Sequence, residues 1–509
     1  MECRIRKHDD RQFEVKVSYP LDRNRRREQY RLDLFAFIPY QVGLGPKSYP
    51  REAFFEDMRA YTRFKPPTLT LEAILNPALD ASPLSRIVQI VRKGRTTGVW
   101  EEARLLYEMR MLGVMIRVQV RDTARYARSL LSRATAPGAY QDAARAITGM
   151  LDHLEAVLER ARAVGKDLIG PEVPPEASRT WPLVDEFVSI EVESLLLRLL
   201  RHLESRHAGR EELTAARERL RAVARAEHRY RVERGYPTVP SDDPRRNEYY
   251  LYRHSLLKKF CASVLFLSLA ERRGRSPIQH SLFALAAAFA MSLGVLGLWL
   301  ADRYYRGNAI AFGLVAVIVY VIRDRLKEIF RDVGARLLPR WVSDRKSELV
   351  DPQTGRRVGL TRERLSWRTR EELPAEVLLA RQYDDSLERA VSEPTDTILH
   401  YQRETVTHTR EIYASHERSE AIDDILRVEI SRWLHHMDNP SKTILTLRDG
   451  EGVVPVEALR VYHVNLVVRH VGRKTLLRRA RLVLTQHGIQ RVEHCGPQSS
   501  ATGDDRGTH

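Results

Sequence analysis

Two periodicities of apolar and polar positions share this chain, and they predict different elements. Over 13–19 the apolar residues Phe13, Val15, Val17 and Tyr19 alternate with Glu14, Lys16 and Ser18. A period of two predicts a half-buried strand. Residues 30–38 read as a second strand, apolar on both faces around Leu34, Phe35 and Phe37, and the polar link through Arg23–Arg27 makes a hairpin the economical connection. Two strands are marginal alone in water, so they must pack on a helix or join a larger sheet. The period then lengthens to 3.6. A short helix is predicted over 51–64, stopped by Pro66 and Pro67, and a long one over 99–133 whose middle is apolar on most sides. Met109, Met111 and Met115 there read as adaptable core rather than ligands. A stripe from Ile147 to Ala161 and another from Leu183 to Leu203 add two bundle helices, and a mostly polar helix follows over 211–235. In the helix over 247–274 an apolar patch at 260–270 is too short to span a bilayer and reads as core or as an interfacial helix.

The longest apolar stretch is 281–322, interrupted only by the charged piece Asp302–Arg306. At about 1.5 Å per residue the first half reaches the ~30 Å of a hydrocarbon core, and the second needs Arg306 and Arg323 to snorkel. These lengths predict a two-helix transmembrane hairpin; the alternative is a helical hairpin buried in a globular core. Trp299, Tyr304 and Tyr305 sit at the tip, while Lys258, Lys259, Arg272, Arg273 and Arg275 precede the hairpin and Arg323, Arg325, Lys327, Arg331, Arg336 and Arg340 follow it. That bias places both termini in the cytoplasm, in a bacterial inner membrane. Ala286, Ala290 and Gly294, with Ala309 and Gly313, predict close helix packing, and a homo-oligomer or protein partner is a weaker extension. Residues 323–338 continue the second helix.

Beyond Trp341 the period returns to two. Alternation over 398–406 and 428–434, a strand over 443–447, and two strands flanking Gly472-Arg473-Lys474 predict an antiparallel β domain. The expected fold class is therefore an α+β membrane protein. Its parts are an N-terminal β-hairpin (1–45), a helical bundle (46–275), the transmembrane hairpin (278–322, with helices 281–301 and 307–322), a helical connector (323–340), a sandwich-like β-rich domain (341–494) and a disordered tail (495–509).

Charge changes the picture little. The net charge is +17, but arginine far outnumbers lysine, as a GC-rich coding sequence alone would give. No zinc-finger or RNP-like spacing occurs, so no nucleic-acid partner is expected; anionic lipid headgroups fit a basic surface beside a bilayer better. Cys3, Cys261 and Cys495 are too scattered for a disulfide or metal framework, and the opening MECRIRKHDD has no apolar core of a signal peptide.

Candidate chemistry is sparse. There is no Walker A, HExxH, GxSxG or CxxC sequence, and Gly43-x-Gly45 is no dinucleotide fingerprint. His400, His408 and His416 recur every eight residues, which spreads them over about 50 Å if extended. His435-His436 and Asp423-Asp424 are the other clusters, and the acids are assigned to solvent. The run Arg25–Arg27 suits phosphate or lipid headgroups, with a solvated turn as the plainer reading. No catalytic, cofactor-binding or metal-binding residue is assigned and no cofactor is expected. The leading expectation is a membrane-anchored interaction or sensing scaffold. The alternatives are a membrane-surface enzyme and a component of an oligomeric channel or transport complex.

Overall fold

The alternating residues of the first strand all point into one core: Phe13, Val15, Val17 and Tyr19 are buried. In the computed structural model, which describes residues 2–132, 137–239, 243–271, 277–305, 307, 309–337, 343–382, 386–448 and 452–495, that core is the inside of a barrel-like sheet. Its first strands are β1 (Glu2–Lys7), β2 (Gln12–Pro20), β3 (Glu28–Ile38) and β4 (Met58–Phe64). After a helical region come β5 (Phe266–Glu271), β6 (Arg345–Val350), β7 (Arg357–Arg368), β8 (Thr397–Thr407) and β9 (Ala421–Glu429). The C-terminal part adds β10 (Ser441–Arg448), β11 (Gly452–Leu459), β12 (Tyr462–Val471), β13 (Thr475–Thr485) and β14 (Gly488–Cys495).

Twelve of these strands form one antiparallel sheet in the order β1-β2-β9-β4-β5-β6-β7-β8-β3-β12-β13-β14. N-terminal and C-terminal strands interleave: β2 pairs with β9, and β3 lies between β8 and β12. The two ends nearly meet, because the Ile489 amide donates to the Asp10 carbonyl at 2.7 Å. Gly488 permits that approach. Its φ is +132°, and a Cβ there would fall 2.1 Å from the Asp10 oxygen. Gly488→Ala is expected to cost about 1–3 kcal/mol through backbone displacement. Thermal unfolding, with hydrogen exchange at Ile489, tests this; unchanged stability with full protection would refute the seam's role.

The expected sandwich-like C-terminal domain and separate N-terminal hairpin are thereby corrected. A sandwich needs two packed sheets, but here one sheet curls on itself and recruits the N-terminal strands to fill it. β10 and β11 stand apart as a two-stranded hairpin with exposed Ile444, Leu445, Leu447 and Val453.

The helical region follows the predicted stripes. Long helices span Glu102–Ser132, Pro137–Asp167, Pro175–His207, Thr214–Arg234 and Pro244–Ala262. The first is central, with Met109, Met111 and Met115 all buried. Its apolar residues belong to the same continuous core as the barrel interior. Residues 58–64 are strand rather than the end of a helix, and 266–271 are strand rather than helix.

Two helices, Pro277–Tyr305 and Ala309–Leu337, form an antiparallel hairpin. Of the small residues expected to pack it, Ala290 is buried and a Cβ at Gly294 would fall 3.0 Å from Arg323, but one at Gly313 would meet nothing within 4 Å. Gly297 is the close contact: a Cβ there would fall 2.7 Å from Val319. The transmembrane expectation is overturned, since no helix among the described residues is long and apolar enough to cross a membrane. In the second helix, charge begins at Arg323, so the uncharged part from Ala309 is about 21 Å long against ~30 Å needed. Large outward side chains such as Phe289, Leu296, Leu314 and Ile318 are exposed. With the spans go the multi-pass topology and the inner-membrane placement with cytoplasmic termini. The side chains of 281–283, Ala286 and Ala309, the flanking basic residues Arg272, Arg273, Arg275, Arg306, Arg331, Arg336 and Arg340, and the tail beyond Cys495 lie outside the described residues.

Candidate functional site

The sheet accounts for most of the acids and histidines that stand out in the sequence. Asp423 and Asp424 are fully buried rather than solvated. They sit on β9 between β2 and β4, where side chains face either the barrel interior or the helices. Asp424 faces inward and accepts from Tyr19, Thr62 and Thr405 at 3.0, 2.6 and 3.0 Å, with Arg403 Nε at 3.4 Å. Arg403 also bonds Glu363, which accepts from the Tyr401 hydroxyl at 2.6 Å. Asp423 faces the other way, between Lys16 Nζ at 2.8 Å and Arg63 Nε at 3.4 Å. Burial lowers the Lys16 pKa, and Asp423 offsets only part of that shift. Every acid in this network has partners, so it holds the barrel together rather than awaiting a ligand.

The eight-residue histidine series does not converge. His400 stacks on Phe35 at 4.2 Å between centroids, with Nε2 3.1 Å from Asp33. His416 is buried, its Nε2 3.2 Å from Asp351 and its Nδ1 3.3 Å from the Tyr107 hydroxyl. His408 is half-buried beside the helix Thr409–Ser415. His435 and His436 are exposed. Among the described residues no group of histidine, cysteine or acidic side chains is arranged to hold a metal ion.

The Arg25–Arg27 run leads to a better site. Antiparallel pairing of β3 with β8 sets Glu28 opposite Thr407. The chain entering β3 and the chain leaving β8 therefore emerge side by side, although some 380 positions separate them in sequence. Between them lies a pocket of about 490 Å³, walled on one side by Arg23, Asn24, Arg25 and Arg26 and on the other by Arg410, Tyr413 and Glu417.

Local bonds fix both walls. Asp22 accepts from the Asn24 amide at 3.0 Å through its side chain and from the Arg25 amide at 3.2 Å through its carbonyl, which turns the loop. The buried Thr409 hydroxyl donates to the Arg25 carbonyl and ties that loop to the opposite wall. Arg23 lies over the Tyr413 ring at 5.1 Å and donates to the Glu417 carbonyl. Arg473 is turned to Asp22 at 3.0 Å and to Glu28, bracing the loop.

The charge balance is one-sided. The Glu417 carboxylate pairs with Arg86 on the helix Pro83–Thr97, away from the arginines of the pocket. Arg25 has only a 3.8 Å approach to Asp22. Arg26 and Arg410 make no side-chain hydrogen bond or ion pair among the described residues, and both are exposed. Burial lowers the His408 pKa, and the nearby charges of Arg357 and Arg27 push it further down against the opposing charge of Glu411. Behind the wall, Glu108 is 1% exposed and accepts from both Arg418 nitrogens at 2.7 and 2.9 Å and from Arg86 at 3.2 Å. The pocket wall is thus anchored in the helical bundle.

A planar guanidinium donates through several N–H groups in a fixed fork that matches phosphate or carboxylate oxygens. Four such groups around one cavity, with no acid among the described residues turned into it, can hold a multiply charged anion. Half of this site is visible in the sequence as the arginine run. Arg410, Tyr413 and Glu417 carry no local signal and are recruited only by the β3–β8 register. Comparison of the chain with family models, with curated proteins and with solved structures gives no match.

Proposed function

We propose that this protein binds a phosphate-bearing anion in the arginine pocket, acting as a binding or sensing module rather than through covalent chemistry at that site. The observation that carries the reading is the pair Arg26 and Arg410. They come from segments far apart in sequence, face one cavity of about 490 Å³ and have no counter-ion among the described residues. An anion in the cavity that met both groups would gain charge-assisted hydrogen bonds from each. Among its described residues the lining holds no nucleophile beside a base, and its tyrosine is covered by Arg23. Retention of an anion is what the arrangement supports.

The test is calorimetric titration of the full chain with inorganic pyrophosphate at two ionic strengths. Binding is expected and should weaken as salt rises. Arg410→Glu is expected to weaken it at least tenfold, while Arg179→Glu, on an exposed helix face, leaves it unchanged. Equal affinity in both variants would remove the pocket from consideration.

A further inference from the structure

Resting on the anion-binding reading, we infer that the occupant is a compact polyphosphorylated small molecule, recognised through its phosphates alone and without a nucleobase. Three features of the pocket point to this class.

The first is charge stoichiometry. Four guanidinium groups line the cavity, and the one carboxylate among its described residues is committed to Arg86. A phosphate monoester carries about −1.5 to −2 at neutral pH. One such group leaves much of the positive charge uncompensated, whereas two or three neighbouring phosphates match it.

The second is the lack of an open aromatic stacking surface. Nucleobases are held by aromatic or guanidinium faces and by hydrogen bonds to their edges. Among the described residues of the lining Tyr413 is the only aromatic one, and Arg23 already covers it at 5.1 Å. No aliphatic side chain of those residues joins it, so the surfaces left for a base are the guanidinium groups, and those are the groups that the phosphates engage.

The third is geometry. Arg26 and Arg410 approach from opposite walls, one on a turn fixed by Asp22 and Thr409, the other on a short helix docked against β7. A ligand that presents phosphates in two directions can engage both walls at once. The volume of about 490 Å³ lies within the range of small-ligand sites and exceeds the need of one phosphate.

The experiment titrates the full chain with inorganic tripolyphosphate and with inositol hexakisphosphate. ATP, GTP, a single-stranded RNA decamer and vesicles carrying phosphoinositide are then tested alone and in competition. We expect both polyphosphates to bind with one-to-one stoichiometry. ATP should bind no tighter than tripolyphosphate and be indistinguishable from GTP. The double variant Arg26→Glu/Arg410→Glu should lose at least a hundredfold in affinity with an unchanged thermal unfolding profile, because both side chains are exposed. ATP binding tenfold tighter than tripolyphosphate, or a clear preference between ATP and GTP, would overturn the base-free assignment while leaving the anion site standing. RNA outcompeting the small polyphosphates would replace the ligand class, and capture by vesicles that soluble polyphosphate fails to displace would assign the phosphates to lipid. Failure of every phosphate compound to bind would remove the anion site itself.

Discussion

Arg403→Met is expected to destabilise the protein by about 3–5 kcal/mol, measured as a lower denaturation midpoint at unchanged slope. Arg403 is 1% exposed, on β8. Its guanidinium reaches across to Glu363 on β7, to Asp424 on β9 and to Thr62 on β4, the last at 3.0 Å. Burial opposes its charge, but Asp424 and Glu363 outweigh that penalty and raise its pKa well above the ordinary value. Methionine matches the stem but leaves two carboxylates inside the barrel without their cation. The cost is that of uncompensated buried charge rather than of a missing contact. The triple variant Arg403→Met/Glu363→Gln/Asp424→Asn removes the stranded charges and is expected to recover most of the loss, because it retains polar groups for Tyr401, Tyr19 and Thr62. A single variant within 1 kcal/mol of the parent would show that the barrel interior tolerates free charge there.

The second large effect is expected at the joint between bundle and barrel. Glu108, on the Glu102–Ser132 helix, is the one acid shared by Arg418 and Arg86. Arg418 forks it with both terminal nitrogens, a geometry that adds orientation as well as energy. Glu108→Gln keeps the size and removes the charge, leaving the largely buried Arg418 without its carboxylate beside Arg86, which keeps Glu417. We expect a loss of about 3–5 kcal/mol. The loss should exceed that of Glu155→Gln, whose ion pair with Arg219 is exposed and worth at most about 1 kcal/mol. Equal effects from the two would deny the joint its importance.

How much of the fold is legible in the sequence depends on where each residue's partner lies. Met109, Met111 and Met115 belong to a helix that buries its residues against neighbouring helices, and the 3.6 period announces them. Tyr462–Val471 and Thr475–Thr485 pair across a tight turn, and alternation plus Gly472 announces them. Residues 58–64 look helical beside REAFFED, yet they pair with Ile422–Val428. Local pattern carries no trace of a partner over 350 positions away, and the sheet overrides propensity. Asp423 and Asp424 mislead for the same reason. Acids at a strand start belong in solvent unless the strand is central, and β9 is central only because β2 and β4 flank it. The arginine pocket repeats the lesson: its Arg23–Arg26 wall lies in one stretch of sequence, and its Arg410–Glu417 wall arrives by register. The apolar hairpin over 281–322 is legible as helices, but the spans expected of it are not found, and in the second helix the charge of Arg323 cuts the apolar run short.

The interleaving of β2 with β9, and of β3 between β8 and β12, sets a schedule for synthesis. Phe13 meets Val428, and Phe35 meets Val467. At ~5–20 residues per second, roughly 20–80 s pass between emergence of the first strands from the ribosome and arrival of the strands that flank them. Through that interval Val15, Val17, Leu32, Leu34 and Phe37 have no sheet to enter. The helices from Glu102 to Ala262 are completed meanwhile and can assemble from local contacts. The nascent chain therefore carries a finished helical body with unpaired, strongly apolar strand segments ahead of it, a natural client for a holding chaperone until translation nears its end.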